Sequence, residues 1–124
     1  WAEGGWDAAQ TSTVVRWAAE HGAVFFDISS GGLVAHQQIV TGPGYQVHLA
    51  AEVRAAAGVA VGAVGEITTG PQAESVLAEG DADVILAGRE WLRDPHFALR
   101  AATELGEPAA APWPPQYVRA RPRA

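Results

Sequence analysis

The chain has 124 residues, 48% of them hydrophobic and 18% charged, with a net charge of −6 and neither cysteine nor methionine. These proportions suit a domain able to bury a core, and they exclude disulfides, thiolate metal sites, a cysteine nucleophile and cysteine-held iron–sulfur clusters in this stretch. The acidic balance argues against a nucleic-acid footprint, because phosphate backbones are gripped by clustered Lys and Arg.

Along the chain, Trp1 to Asp7 reads as a loop whose last residue, Asp7, caps the first helix. From Ala8 to about Glu20 the apolar residues Val14, Val15, Trp17 and Ala18 recur at helical spacing, and Gly22 supplies the left-handed stop. Val24 to Ile28 is a short strand that runs into the flexible Ser29-Ser30-Gly31-Gly32. Gly42-Pro43-Gly44 leads to a helix from about Tyr45 to Ala57, which Gly58 ends. Val59 to Val64 is the next strand, with Gly65 just beyond it. Thr68, Thr69 and Gly70 form a turn, and Pro71 opens a helix ending near Gly80. Val84 to Ala87 is a third strand. A further helix runs from about Pro95 to Leu105, and the proline-rich tail from Pro108 is expected to be extended.

The strict alternation of helix and strand implies right-handed crossovers and a parallel sheet. Val84-Ile85-Leu86-Ala87 is continuously apolar, as a strand covered on both faces would be. Helices can cover one face. In a (β/α)8 barrel the other face packs against further strands, and such a barrel takes about 250 residues. The missing methionine at position 1 is read as placing Trp1 inside a longer protein. The expected fold is therefore α/β, the C-terminal part of a TIM barrel comprising about its last three βα units. Residues 1–107 form those units and residues 108–124 an extended tail. A small doubly wound domain is the competing architecture.

Two successive strands end in glycine: Gly65 after VAVGAV and Gly88 after VILA, the latter followed by Arg89. Glycine lets the backbone approach a ligand, and the planar fork of Arg89 matches phosphate oxygens in two-point contacts. Neither segment has the spacing of a dinucleotide or Walker motif. Together they fit the barrel phosphate site, built from the loops after the last two strands and a nearby helix N-terminus. The alternative for Gly88-Arg89 is an ordinary turn in which Arg89 pairs with Glu90 or Asp94.

Five segments occur in a fixed order: DISSGG at Asp27–Gly32, GPGYQ at Gly42–Gln46, AVGEIT at Ala63–Thr68, AGREWLRDP at Ala87–Pro95 and PPQYVRA at Pro114–Ala120. In that order they resemble the C-terminal portion of the Old Yellow Enzyme family, nearest its bacterial, thermophilic-like ene-reductase branch. The resemblance implies an FMN-binding TIM barrel that passes hydride from NAD(P)H to the activated C=C bond of an α,β-unsaturated carbonyl compound. It implies that Gly65, Gly88 and Arg89 hold the FMN phosphate and that Ser29 lines the flavin face. It further implies a homo-oligomer, dimer or tetramer, in which Arg119 enters a neighbouring subunit's substrate site and Tyr117 anchors the tail. The family's substrate-binding histidine pair, proton-donating tyrosine and N-terminal flavin loop would lie before Trp1. No catalytic residue is assigned in this chain, and the piece alone is expected to be inactive. Glu66 departs from the family's usual apolar residue. Because a carboxylate facing phosphate repels it, Glu66 should turn to solvent or pair with a cation.

Bland readings suffice elsewhere. His21, His36, His48 and His96 show no metal spacing, and Asp81 and Asp83 read as solvated turn charges. The five tryptophans read as packing or interface residues. No apolar run approaches the roughly 18 residues of a membrane-crossing helix, and no secretory layout is present, so the expected compartment is the cytoplasm. Two other functions stay open: a non-catalytic phosphate-binding α/β module, and a different FMN barrel. Relatives of the latter that carry an iron–sulfur domain fit poorly with a cysteine-free chain.

Overall fold

The computed structural model describes residues 1–123, so the last position of the expected tail lies outside the described residues. In chain order come α1 (Ala8–Glu20), β1 (Phe25–Ile28), α2 (Val47–Ala57), β2 (Ala60–Ala63), α3 (Gly70–Ala78), β3 (Val84–Ile85), α4 (Arg89–Arg93), α5 (Phe97–Glu104) and a 3-10 turn (Pro115–Ala120). The three strands form one parallel sheet in the order β1-β2-β3. Phe25 pairs with Ala60, and Gly62 with Val84.

Local chemistry accounts for the helix ends. Asp7 accepts from the Gln10 amide at 2.8 Å while the Gln10 side chain accepts from the Asp7 amide at 3.0 Å, a reciprocal cap that starts α1. Gly58 ends α2 at φ 66°, a left-handed conformation that glycine adopts without cost. Thr69 caps α3, with Pro71 in its first turn.

Burial follows the pleat. Ile28, Val61 and Ala63 face the helices and join Val15, Val53 and Val76 in the core. The opposite face carries Phe25, Gly62 and Leu86. A Cβ on Gly62 would collide with Leu86 and meet the Phe25 ring, so glycine lets these two side chains close over β2. Phe25 is nevertheless 41% exposed and Val84 46%. Helices thus cover one face of an apolar sheet and leave the other bare among the described residues.

Several expectations are corrected. The β3 ladder is shorter than Val84–Ala87, although Leu86 still donates to the Ala63 carbonyl at 2.9 Å. The residues after Gly88 form α4, which went unforeseen because five residues are too few to show a period. The tail is not wholly extended: Pro115 to Ala120 turn as a 3-10 helix, started by a bond from the Tyr117 amide to the Pro114 carbonyl. Asp83 is no idle turn charge. It takes a two-point contact from Arg54 of α2 at 2.9 and 3.1 Å and accepts from the Val61 amide at 2.9 Å. It thereby ties the starts of β2 and β3 to α2, at the sheet end away from Gly65 and Gly88. No helix among the described residues is long and apolar enough to cross a membrane.

The Asp83 carboxyl is held below the ordinary aspartate value, first by the Arg54 guanidinium and then by the Val61 amide. A depressed folded-state value stabilises the fold above the unfolded value of about 3.9, and that stability is lost as the pH falls through the folded value. In the full-length protein carrying this chain, Asp83→Asn should lower the melting temperature at neutral pH. The gap to the parent should begin to narrow below about pH 5 and go on closing as the pH falls through the folded-state value. A gap that stays constant across that window would remove Asp83 as its cause.

Candidate functional site

The C-terminal ends of β2 and β3 open into a cleft of about 450 Å³ whose lining includes Tyr45, Gln46, Gly65, Glu66, Gly88 and Arg89. Three of the expected site residues, Gly65, Gly88 and Arg89, are therefore brought together. Parallel neighbouring strands leave the sheet on the same side, so their trailing loops must meet there.

The loop after β2 is held by its carbonyls. The Val64 oxygen accepts from Gln46 Nε2 at 3.3 Å, that of Gly65 from the Gly44 amide at 2.8 Å, and that of Glu66 from Gln72 Nε2 at 3.1 Å. Arg100 Nη1 donates to the Thr68 carbonyl at 3.3 Å. Oxygens already paired within the chain do not set partial negative charge against an anion. Gly65 has φ 129°, and a Cβ there would stand 3.1 Å from the Tyr45 ring and 3.2 Å from Gln46 Nε2. The backbone conformation demands glycine, and a side chain would also have to push these neighbours aside. Gly88 differs, because a Cβ on it would meet nothing within 4 Å at φ −93°. The fold leaves that space open, and only something entering from outside could require the side chain to be absent.

The helix N-termini contribute less than the sequence suggests. At α3 the Gly70 amide donates to Glu104 Oε2 at 2.6 Å, Pro71 has no amide hydrogen, the Gln72 amide donates to Thr69 Oγ1 at 3.2 Å, and the Ala73 amide to the Thr69 carbonyl at 3.1 Å. That terminus is filled. Helix α4 has only five residues and so a small dipole. The attraction for an anion thus rests on Arg89.

Arg89 is exposed, and it makes no ion pair among the described residues. The surface pairing with Glu90 or Asp94 is not what forms. Glu90 is taken by Arg93 at 2.9 Å and by Arg100 at 2.5 Å, and Asp94 by Arg100 at 2.7 Å. Arg100 also binds Glu104 at 2.8 Å and lies 5.0 Å from the Phe97 ring centre. The Asp94 carboxyl is held below its ordinary range chiefly by Arg100, and that of Glu104 first by the Gly70 amide and then by Arg100.

Ser29 is exposed and lines a different, larger cleft of about 930 Å³ bounded by the first residues, the loop after β1 and α2. Its neighbour Ser30 is the anchored one. The Ser30 amide and hydroxyl donate to Gln46 Oε1 at 2.6 and 2.7 Å, and Trp1 Nε1 donates to the Ser30 hydroxyl at 2.6 Å. Gln46, 4% exposed, thereby joins the loops after β1 and β2. Arg119 and Tyr117 stand exposed on the 3-10 turn and line neither cleft. Glu66 is half-buried in the wall of the smaller cleft, in the left-handed region at φ 53°, and has no cation partner among the described residues. The roles of Gln46 and Arg100 were missed in the sequence. The GPGYQ and RDPHFALR segments contain them, but their partners lie up to 32 positions away.

A family model described as the NADH:flavin oxidoreductase / NADH oxidase family matches residues 2–107. The NADPH dehydrogenase of Listeria innocua is 46% identical over 120 residues, covering 97% of this chain and 35% of that protein. The NADPH dehydrogenase of Bacillus subtilis is 47% identical over 115 residues, covering 93% of this chain and 33% of the relative. The chain spans about a third of the length of these curated relatives. Match and strand order agree with the expected architecture: the chain belongs to the NADH:flavin oxidoreductase, or Old Yellow Enzyme, family, a TIM-barrel family of which it spans a part.

Proposed function

We propose that the full-length protein is a cytoplasmic FMN-dependent NAD(P)H oxidoreductase, an ene-reductase acting on α,β-unsaturated carbonyl compounds, in which this chain holds the FMN phosphate. The observation that carries this reading is the convergence of Gly65, Gly88 and Arg89 on one cleft, with open space above Gly88 and no acid paired to Arg89 among the described residues. Family membership and the relatives' name, NADPH dehydrogenase, support FMN and NADPH as the cofactors.

The residues fit a phosphate. Gly88 lets the ligand reach the backbone, Gly65 turns the second loop beneath it, and Arg89 supplies a fixed charge with two-point geometry. When bound, FMN supplies the acceptor that takes hydride from NAD(P)H and delivers it to the alkene. Holding the phosphate at the strand ends sets the position of the flavin ring, and a misplacement of about 1 Å can cost roughly 100-fold in rate. Ser29 leaves the sheet at the same end, and we assign it to the flavin face. We assign Arg119, exposed on the 3-10 turn, to a neighbouring subunit's substrate site in a homo-oligomer, with Tyr117 anchoring the turn. The proton-transfer residues belong to parts of the protein outside this chain, so the piece alone is inactive.

Two measurements on the full-length protein test the phosphate site. Arg89→Gln should weaken FMN binding by about tenfold or more while leaving riboflavin, which lacks the phosphate, nearly unchanged, since a hydrogen bond to a charged group contributes about 1.5–3 kcal/mol. Equal affinity of parent and variant for FMN would sink the reading. Gly88→Ala and Gly65→Ala separate ligand approach from folding. The first should leave the melting temperature unchanged and weaken FMN binding, whereas the second should cost about 1–3 kcal/mol of stability as well. If Gly88→Ala binds FMN as the parent does, Gly88 is an ordinary turn glycine.

A further inference from the structure

The cleft wall is not uniformly basic. Its charged lining consists of Glu66, Arg89, Glu90 and Arg93, two acids against two bases. A phosphate dianion entering a space of that composition gains little from net charge alone. What decides the local field is how each acid is neutralised, and Glu90 is neutralised with particular completeness. Its side chain is 12% exposed, with Oε1 on Arg100 at 2.5 Å and Oε2 on Arg93 at 2.9 and 3.2 Å.

The two arginines are not equivalent. Arg93 sits three residues along the same short helix with its side chain 60% exposed, an arrangement of the kind that contributes little. Arg100 comes from α5, is 35% exposed, and is held in place by Asp94, Glu104, the Thr68 carbonyl and the Phe97 ring. A guanidinium oriented by four other contacts loses little freedom in making a fifth.

Resting on the phosphate-site reading above, we propose that Arg100 is a positioning residue that neutralises Glu90 and so keeps the cleft open to the FMN phosphate. Without Arg100, one Glu90 oxygen loses its partner in the wall of the anion site. Adjacent helical positions do not face each other, so the main consequence is repulsion of the phosphate rather than capture of Arg89. The effect is specific to the ligand's charge. A scaffolding role would weaken every flavin alike.

The test compares FMN and riboflavin affinities, by quenching of flavin fluorescence, in the full-length protein and in R89Q, R100Q, E90Q and the E90Q/R100Q double variant. R100Q should weaken FMN by about tenfold and leave riboflavin within about twofold, the scale of one charge-pair contribution. The double variant should match E90Q, because the one carboxylate that Arg100 neutralises in the cleft wall is already gone. Equal losses for FMN and riboflavin in R100Q, or a double variant that binds FMN more weakly than E90Q, would overturn the proposal. Should R100Q fail to fold, the comparison of E90Q with the double variant decides alone, and a double variant that also fails to fold overturns it. R89Q keeps the two hypotheses apart: if it leaves the ratio of FMN to riboflavin affinity unchanged, the phosphate site fails, whatever Arg100 does.

Discussion

The guanidinium of Arg100 is shared among Glu90 in α4, Asp94 just beyond it, Glu104 one turn along α5, and the Thr68 carbonyl in the loop after β2. Glu104 extends the chain of contacts to the first amide of α3. Each pair lies near the surface and taken singly would contribute little. Together they tie the loops that leave β2 and β3, whose glycines must stand at a fixed separation if both are to meet one ligand. Close packing reinforces the link, because a Cβ on Gly70 would lie 2.6 Å from the Ala101 carbonyl oxygen. The contacts that link the two loops thus run through α5, an element that contributes no residue to the cleft lining.

The sheet places that cleft but does not complete a fold of its own. One face packs on helices through Val61 and Ala63, while the other shows Phe25 and Val84 partly bare. Apolar strand faces of this kind are covered in barrels by the remaining strands and their layered side chains. A chain that spans about a third of its relatives' length would leave such a surface uncovered. The opposite ends of the strands have a different task. There Asp83 fastens β2, β3 and α2, so one end of the sheet serves cohesion and the other opens into the cleft.

Glycine plays two physically distinct parts at the cleft end of the sheet. At Gly65 the backbone angle disfavours any side chain, and the neighbouring Tyr45 and Gln46 would have to shift to admit one, so the fold itself selects the residue. At Gly88 neither the angle nor the neighbours object. The same residue type, read in sequence as one motif repeated, is thus required by the fold in one loop and not by the fold in the other.

Apart from α4 and the 3-10 turn, the order of elements was legible because it rests on short-range chemistry: the reciprocal cap of Asp7 and Gln10, the left-handed stop at Gly58, and Thr69 with Pro71 at the start of α3. The apolar runs before Gly65 and Gly88 implied parallel strands, and parallel strands bring their trailing loops together, so the company of Gly65, Gly88 and Arg89 could be inferred from position alone. Arg119 and Ser29 were legible only as matches to a family pattern, and the chain does not gather them into that cleft. What tertiary structure decided is which charges meet. Asp83 finds Arg54 across 29 positions and Arg100 reaches Thr68 across 32, pairings set by how the helices dock rather than by any local period. The sequence by itself therefore determined the strands, their direction and the residues at their ends. Only the folded chain determined that Arg89 has no ion-pair partner among the described residues, and that the acids nearest it in sequence are claimed by an arginine from another helix.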